Sequence, residues 1–351
     1  MHSIESLPAA IDGPSAWIGQ EMAQEEDRWL TELSTEQVDE LESSARSYLA
    51  LEKDVGEIST STFPLQLCSE LLQGIKSTLL NGHGVQVLRG LPVAQYSQEF
   101  SAAIFCGIGA HLGSARSQNA QGHILGHVRN IGKSSADTSA RIYQTAERQS
   151  FHTDSADVVG LLCLQEAREG GRSLLVSAET IYNRMRQLRP DLTALMFEPI
   201  ATDRRGEIPA GAKPFMDIPV FSWHAERLTV FYQRQYIESA QRFPDAPRLT
   251  PQHIEALDLF DSLANDPDLH LSMQLQSGDM QFVYNHSQLH DRTAFVDWPQ
   301  SEKRRHLFRL WLSLAGDREL PETFKQRYGS IEIGNRGGII TEHTTLHVPL
   351  D

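Results

Sequence analysis

No stretch of this 351-residue chain approaches the roughly 18 uninterrupted apolar residues that cross a bilayer. Its start, Met1-His2-Ser3-Ile4-Glu5, lacks a basic segment followed by an apolar one. A cytoplasmic protein without membrane attachment is therefore expected. Cysteine is scarce: Cys68, Cys106 and Cys163 are odd in number, widely spaced and set in apolar runs, which argues against a disulfide framework or a cysteine-rich metal module. Positive charge is also in short supply, with 31 Lys and Arg against 46 Asp and Glu and a net charge of −15. The resulting field repels phosphate, so neither nucleic acid nor an anionic membrane is an expected partner. Small anions remain accessible to local arginines. Repeats and low-complexity segments are absent, and 40% hydrophobic with 22% charged residues suits a globular fold.

The first thirty residues show no sustained period and read as an extended arm that packs through Trp17 and Trp29. Ser34-Thr35-Glu36-Gln37 resembles a capping box ahead of Val38, Leu41 and Ala45, and predicts a helix to about Leu51. The acidic segment from Glu21 to Glu57 is expected to cover the core or to join subunits, which is compatible with a homo-oligomer. Leu65, Cys68, Leu72, Ile75 and Leu79 predict a second helix, stopped at Asn81-Gly82 by a left-handed glycine. A strand at Val85 to Leu88 and a helix at Gln98 to Leu112 follow.

From Arg141 onward the pattern turns to β: Ile142-Tyr143, Val158 to Leu164, Ser173 to Val176, Ile218 to Trp223, Leu228 to Tyr232, Ser272 to Gln276 and Met280 to Tyr284. Helices are expected at Ala178 to Leu188, continuing toward Phe197, and at Pro251 to Leu263. In the last strand, Arg304 to Leu314, Phe308, Leu310, Leu312 and Leu314 make an apolar face, while Leu307, Arg309, Trp311 and Ser313 make the other. Phe295 and Trp298 are expected in the core.

Phe151-His152-Thr153-Asp154 places an imidazole and a carboxylate two residues apart, on one face of an extended chain. Downstream, His286 and His290 compete as a third ligand. Their spacing of four would align them on a helix, but the Gly278-Asp279 turn and the β-rich run after it oppose one. His290 is assigned as the ligand and His286 as a packed or hydrogen-bonded neighbour. Two histidines and one carboxylate occupy one face of an octahedron and leave positions open for a cosubstrate and O2, the pattern of mononuclear iron(II) oxygenases. A closed zinc site would need a fourth ligand. Arg305 and Arg309, four apart on the last strand, share a face and supply forks for a carboxylate.

These blocks, together with Gly170-Gly171-Arg172-Ser173 and Leu289-His290-Asp291-Arg292-Thr293-Ala294-Phe295, resemble the taurine-dioxygenase-like (TauD/TfdA) family of 2-oxoglutarate-dependent oxygenases. The resemblance runs from about Gly82 to Leu314. It implies a mainly β, α/β-class fold: a double-stranded β-helix (jelly roll, clavaminate-synthase-like) with flanking helices. Residues 1–60 would form an arm and helix packed on the core, and residues 61–351 the oxygenase domain, with a helical insert between the His152 motif and the distal histidine.

It further implies His152, Asp154 and His290 as catalytic Fe(II) ligands, and Ser173 and Arg305 as partners of the distal carboxylate of 2-oxoglutarate. Arg309 would lie nearer the metal. Asp154 argues for oxygen transfer, because related halogenases replace the acidic ligand with a small residue. The expected reaction consumes O2 and hydroxylates a small anionic or zwitterionic substrate; desaturation, ring closure, or metal binding without turnover are the rivals. Candidate substrate contacts are Arg148, Arg234, Tyr236, Asn119 and Gln118.

Overall fold

The computed structural model describes residues 7–134, 141–209, 211–339 and 344–350. Three helices precede the main β region: the amphipathic α1 Thr35–Leu49 and α2 Leu67–Asn81, and α3 Gln98–Leu112, which is buried on all sides through its middle. The Ser34 hydroxyl accepts from the Gln37 amide while the Gln37 side chain accepts from the Ser34 amide, so the capping box forms as the sequence requires. The start of α2 is capped from a distance. Glu40 of α1 accepts from the backbone amides of Gln66, Leu67 and Cys68 at 2.6, 2.9 and 2.8 Å, where a helix N-terminus favours negative charge.

The strands that frame the molecule are β1 Leu30–Glu32, β2 Val85–Arg89, β3 Ser114–Arg116, β4 Leu125–Arg129, β5 Gln149–His152, β6 Val158–Gln165, β7 Ser173–Ser177, β8 Leu271–Met273, β9 Met280–Tyr284, β10 Gln288–Arg292 and β11 His306–Ser313. They form a seven-stranded sheet in the order β1-β2-β9-β6-β11-β3, with β4 also on β11, and a four-stranded sheet in the order β8-β7-β10-β5. The two sheets make the double-stranded β-helix. Alternation along each strand decides what lies between them. Phe308, Leu310 and Leu312 of β11 join Met280 and Phe282 of β9 against Ile104, Phe105 and Ile108 of α3. Leu307 instead packs inward with Val87, Val128, Cys163, Leu175 and Val283. The outer face of the smaller sheet, with Leu174, Val176 and Leu289, is covered by helices Ala178–Leu188 and Pro251–Ala264 through Ile181, Tyr182, Leu257 and Phe260.

Several expectations need correction. Gly82 ends α2 at φ −104°, outside the left-handed region. That conformation falls to Gly84 at φ +76°, where an added Cβ would come within 2.9 Å of the Gln288 side chain. Ile142-Tyr143 is a 3-10 turn over Ile142–Gln144, because Gln144 closes back on Arg141 rather than pairing with a neighbouring strand. The run from Ile218 to Trp223 breaks at Val220 into strands Phe215–Pro219 and Phe221–His224, which pair with different partners. The arm contains two short helices, Gly19–Met22 and Glu26–Trp29, although Trp17 and Trp29 are buried as expected. Phe295 is buried but Trp298 is 38% exposed. All three cysteines are free and buried. Among the described residues no helix is long and apolar enough to cross a membrane.

Candidate active site

β5 lies antiparallel to β10, and the pairing sets His152 opposite His290. Their rings are 4.1 Å apart. Asp154 stands two residues beyond β5 on a segment fixed by its backbone. The amide of Thr153 donates to the carbonyl of Tyr232 at 2.9 Å, and that of Asp154 to Asn285 Oδ1 at 2.8 Å. Asn285 returns its own amide to the carbonyls of Asp154 and Ala156 at 2.6 and 2.9 Å. Nε2 of His152 lies 3.8 Å from Asp154 Oδ1, and Nε2 of His290 lies 3.7 Å from Oδ2. One potential ligand atom from each of the three side chains falls within 4.8 Å of the others.

The protonation states suit a divalent metal. His152 Nδ1 bonds the Ser150 carbonyl at 2.9 Å, which places the proton there and leaves the Nε2 lone pair available. Gln149 Nε2 donates to that lone pair at 2.9 Å. Burial, then the neighbouring His290, pushes the His152 imidazole down to about 3, so it is neutral. Burial alone would raise the Asp154 carboxyl; the Arg309 guanidinium and His290 outweigh it and hold it well below the usual carboxylate range. Its two oxygens differ. Oδ2 accepts from Trp311 Nε1 at 2.8 Å and Arg309 Nη1 at 3.2 Å, while Oδ1 accepts no hydrogen bond from the described residues and is free to ligate. Two imidazoles, that of His152 neutral, plus a carboxylate with a spare oxygen, and no thiolate, fit Fe(II).

Two cavities flank the triad. One is lined by Ser173, His290, Arg292, Arg305 and Arg309 with apolar walls from Leu161, Leu275 and Leu307. Here two buried guanidinium groups are incompletely satisfied: Nη1 of Arg305, and Nε and Nη1 of Arg292, have no hydrogen-bond partner among the described residues. Both cations sit over the Phe295 ring, at 5.1 and 4.7 Å. Burial pushes Arg305 down to about 10, and burial with the charge of Arg305 pushes Arg292 down to about 9. Both remain charged at neutral pH, and an entering dicarboxylate would relieve their repulsion. The Ser173 hydroxyl points to Gln281 Oε1 at 3.0 Å, beside this cavity. Arg292 was quoted in the sequence motif without a role; standing two residues after His290 on one strand, it shares that face, and alternation alone could have placed it.

The second cavity lies on the other side of Asp154, lined by Gln118, Asn119, Phe231, Gln233 and Tyr236 together with His152 and Arg309. Arg309 borders both cavities, its Nε donating to Gln118 Oε1 at 2.7 Å. The structure thus brings Asn119, Gln118 and Tyr236 to the triad but not Arg148 or Arg234. Arg148 turns to the buried carboxylate of Asp291 and to Asn265. Arg234 is held by Glu238, Asp258 and Asp261 at 2.8, 2.8 and 2.9 Å. Neither has a donor directed at the cavity. The distant Arg141 does line it, paired with Glu207 at 2.9 Å.

Residues 51–311 match the family described as "Taurine catabolism dioxygenase TauD, TfdA family". FR-33289 synthase of Streptomyces rubellomurinus (strain ATCC 31215) is 30% identical over 338 residues, 93% of this chain and 97% of that protein. Taurine hydroxylase-like protein SAT17 of Stachybotrys chartarum (strain CBS 109288 / IBT 7711) is 29% identical over 326 residues, covering 88% and 81%. Among solved structures, an asparagine oxygenase in complex with Fe(II), 2S,3S-3-hydroxyasparagine and succinate superposes with a TM-score of 0.63 at 17% identity, covering 81% of this chain and 93% of that one. At that identity the likeness speaks for the fold.

Proposed function

The chain belongs to the TauD, TfdA family of iron(II)- and 2-oxoglutarate-dependent dioxygenases, and on that premise we propose that it hydroxylates a small anionic or zwitterionic molecule with release of succinate and CO2. One observation carries the reading. The free face of the His152, Asp154 and His290 cluster opens between a cavity holding two incompletely satisfied guanidinium groups and a polar chamber on the other side.

Bound iron(II) with 2-oxoglutarate supplies O2 activation, one oxygen atom leaving in succinate and the other entering a C–H bond of the substrate. The chain supplies position. Arg305 and Arg292 hold the far carboxylate of the diacid by charge-assisted bonds, and the Ser173 hydroxyl becomes an additional donor by turning from Gln281. Leu161, Leu275 and Leu307 keep water from its carbon chain. Trp311 and Arg309 fix the non-ligating oxygen of Asp154, which orients the other toward the metal. Gln118 sets Arg309 between cosubstrate and substrate. The hydroxyasparagine held by the similar asparagine oxygenase supports a zwitterionic class. A cytoplasmic location is part of the proposal, supported by three unbridged cysteines.

The test is a library of amino acids, carboxylates, sulfonates and phosphonates incubated aerobically with iron(II) and 2-oxoglutarate, read as succinate release and product mass. Substrate-dependent succinate with gain of one oxygen atom is expected. Loss of two hydrogens would replace hydroxylation with desaturation or ring closure, and tight metal binding with no succinate from any compound would overturn the enzyme reading.

A further inference from the structure

A second group of arginines lies beyond the substrate chamber. Arg204 is 8% exposed; its Nε donates to the Lys213 carbonyl at 3.0 Å, and no carboxylate pairs with it among the described residues. Arg327 has a buried Nε without a partner and makes no ion pair among the described residues. Arg116 is satisfied only by neutral groups, the Gly337 carbonyl and Asn335 Oδ1, each at 3.1 Å. All three line one cavity of about 370 Å³. The acidic side chain on its wall, Glu207, is engaged by Arg141 at 2.9 Å, and the wall's Lys325 is held by Glu322 at 2.7 Å.

Burying like charges without counter-ions is unfavourable. Burial, and then the charge of Arg327, pushes the Arg204 guanidinium down to about 10. A fold that needed only packing here would be served by apolar residues. The cavity also adjoins the chemistry, since Glu207, Arg327 and Ile339 line both it and the chamber that reaches His152 and Asp154. The arginines therefore stand next to the chamber in which a substrate would meet the triad.

We propose that Arg204 and Arg327, with Arg116 beside them, form an anion subsite that holds a doubly charged phosphoryl or phosphonyl head group of the substrate. This rests on the oxygenase reading above and narrows its substrate class. A carboxylate or sulfonate brings one negative charge and is satisfied by a single fork. Three guanidinium groups facing one cavity call for a group with three acceptor oxygens and about two negative charges. A matched relative, a uridine-5'-phosphate dioxygenase of Streptomyces sp, bears a phosphate ester in its name.

The experiment uses the full chain, anaerobic, with iron(II) and saturating 2-oxoglutarate, titrated calorimetrically with methylphosphonate and methyl phosphate and, as single-charge controls, acetate and methanesulfonate. The dianions should bind at least about tenfold more tightly than the controls. Arg204→Gln and Arg327→Gln should each remove roughly tenfold or more of that affinity while 2-oxoglutarate binding stays unchanged. A preference between the two dianions identifies a phosphonate or a phosphate ester as the source. Dianions that bind no better than acetate, or equally well in both variants, would overturn the subsite; the wild-type order decides this even if a variant does not fold. Failure of 2-oxoglutarate to bind would instead sink the oxygenase reading, and repeating the dianion titration on metal-free protein still tests the arginines.

Discussion

Two clusters of histidine and aspartate sit a few residues apart in this chain, and both bring potential ligand atoms within 4.8 Å of each other. In the first, His152, Asp154 and His290, one carboxylate oxygen is free and the cluster borders two cavities. In the second, Asp157, His286 and Asp317, every carboxylate oxygen is in use. Asp157 accepts from His286 Nε2, Arg336 Nε, Ser313 Oγ and the Leu314 amide at 2.8, 2.7, 3.0 and 3.0 Å. Asp317 accepts from Arg336 Nη2 at 2.8 Å, the Arg318 amide at 2.6 Å and the Tyr284 hydroxyl. All its members are buried, and guanidinium groups fill the place a cation would take. Residue type does not separate a metal centre from a structural network; unused lone pairs beside open volume do. The second cluster also braces the first, because Asp157 follows Asp154 by three residues and His286 follows Asn285, whose amide clamps the Asp154 backbone.

Substituting one member of each cluster should split function from stability. His290→Ala is expected to cut substrate-dependent succinate formation by about 10³-fold or more and to weaken metal binding, with a urea midpoint close to wild type. Equal loss of fold and activity would erase the distinction. Arg336→Met leaves Asp157 and Asp317 buried without their cation, which should cost about 3–5 kcal/mol in urea unfolding. Metal affinity measured well below the transition should change far less. The Asp157 carboxyl carries a pH signature: burial raises it, but His286 and Arg336 outweigh this and leave it below the ordinary carboxylate value. Its stabilisation is complete above the unfolded-state value and is lost as pH falls through the lower folded one, so the Met variant should unfold at a higher pH on acidification.

Much of this contrast was legible in sequence and part was not. The last strand announced itself, since Phe308, Leu310 and Leu312 alternate with Arg309 and Trp311, and the fold needs only that period to bury one set against α3 and turn the other inward. The reading of a strand, where the spacing of four from His286 to His290 suggested a helix, also holds, since His290 lies on β10. Arg336 was hidden in a tail without periodicity, because its place is set by ion pairs to residues 179 and 19 positions away. Arg204 and Arg327 were hidden too, because they are far apart in the chain and only the fold brings them to one cavity. Arg148 looked promising by its closeness to His152, yet nearness along the chain does not fix direction, and Asp291 draws it elsewhere.

Within the open cluster, the two arginines of the Ser173 cavity can be compared with each other. Arg305→Gln should raise the KM for 2-oxoglutarate by about 10²-fold, since a buried fork to carboxylate is lost. Arg292→Gln should raise it by roughly tenfold, its remaining donor being tied to the Glu147 carbonyl. Equal effects would mean that the two share the carboxylate evenly.

The smallest effect belongs to Trp311, which lines the substrate chamber but acts through Asp154. Its indole N–H lies 2.8 Å from Asp154 Oδ2, and Arg309 holds the same oxygen at 3.2 Å. Trp311→Phe keeps the aromatic packing against Ala156 and Val159 but deletes that donor. The carboxylate then retains one anchor, so metal affinity should fall by about tenfold, the lower end for a residue that orients a ligand. The KM for 2-oxoglutarate, measured at saturating iron(II), should hold steady because Arg305 and Arg292 are untouched. A larger loss of iron affinity than His290→Ala would show that the indole, and not the imidazole, dominates the geometry of the centre, and would reverse the order in which these side chains were ranked.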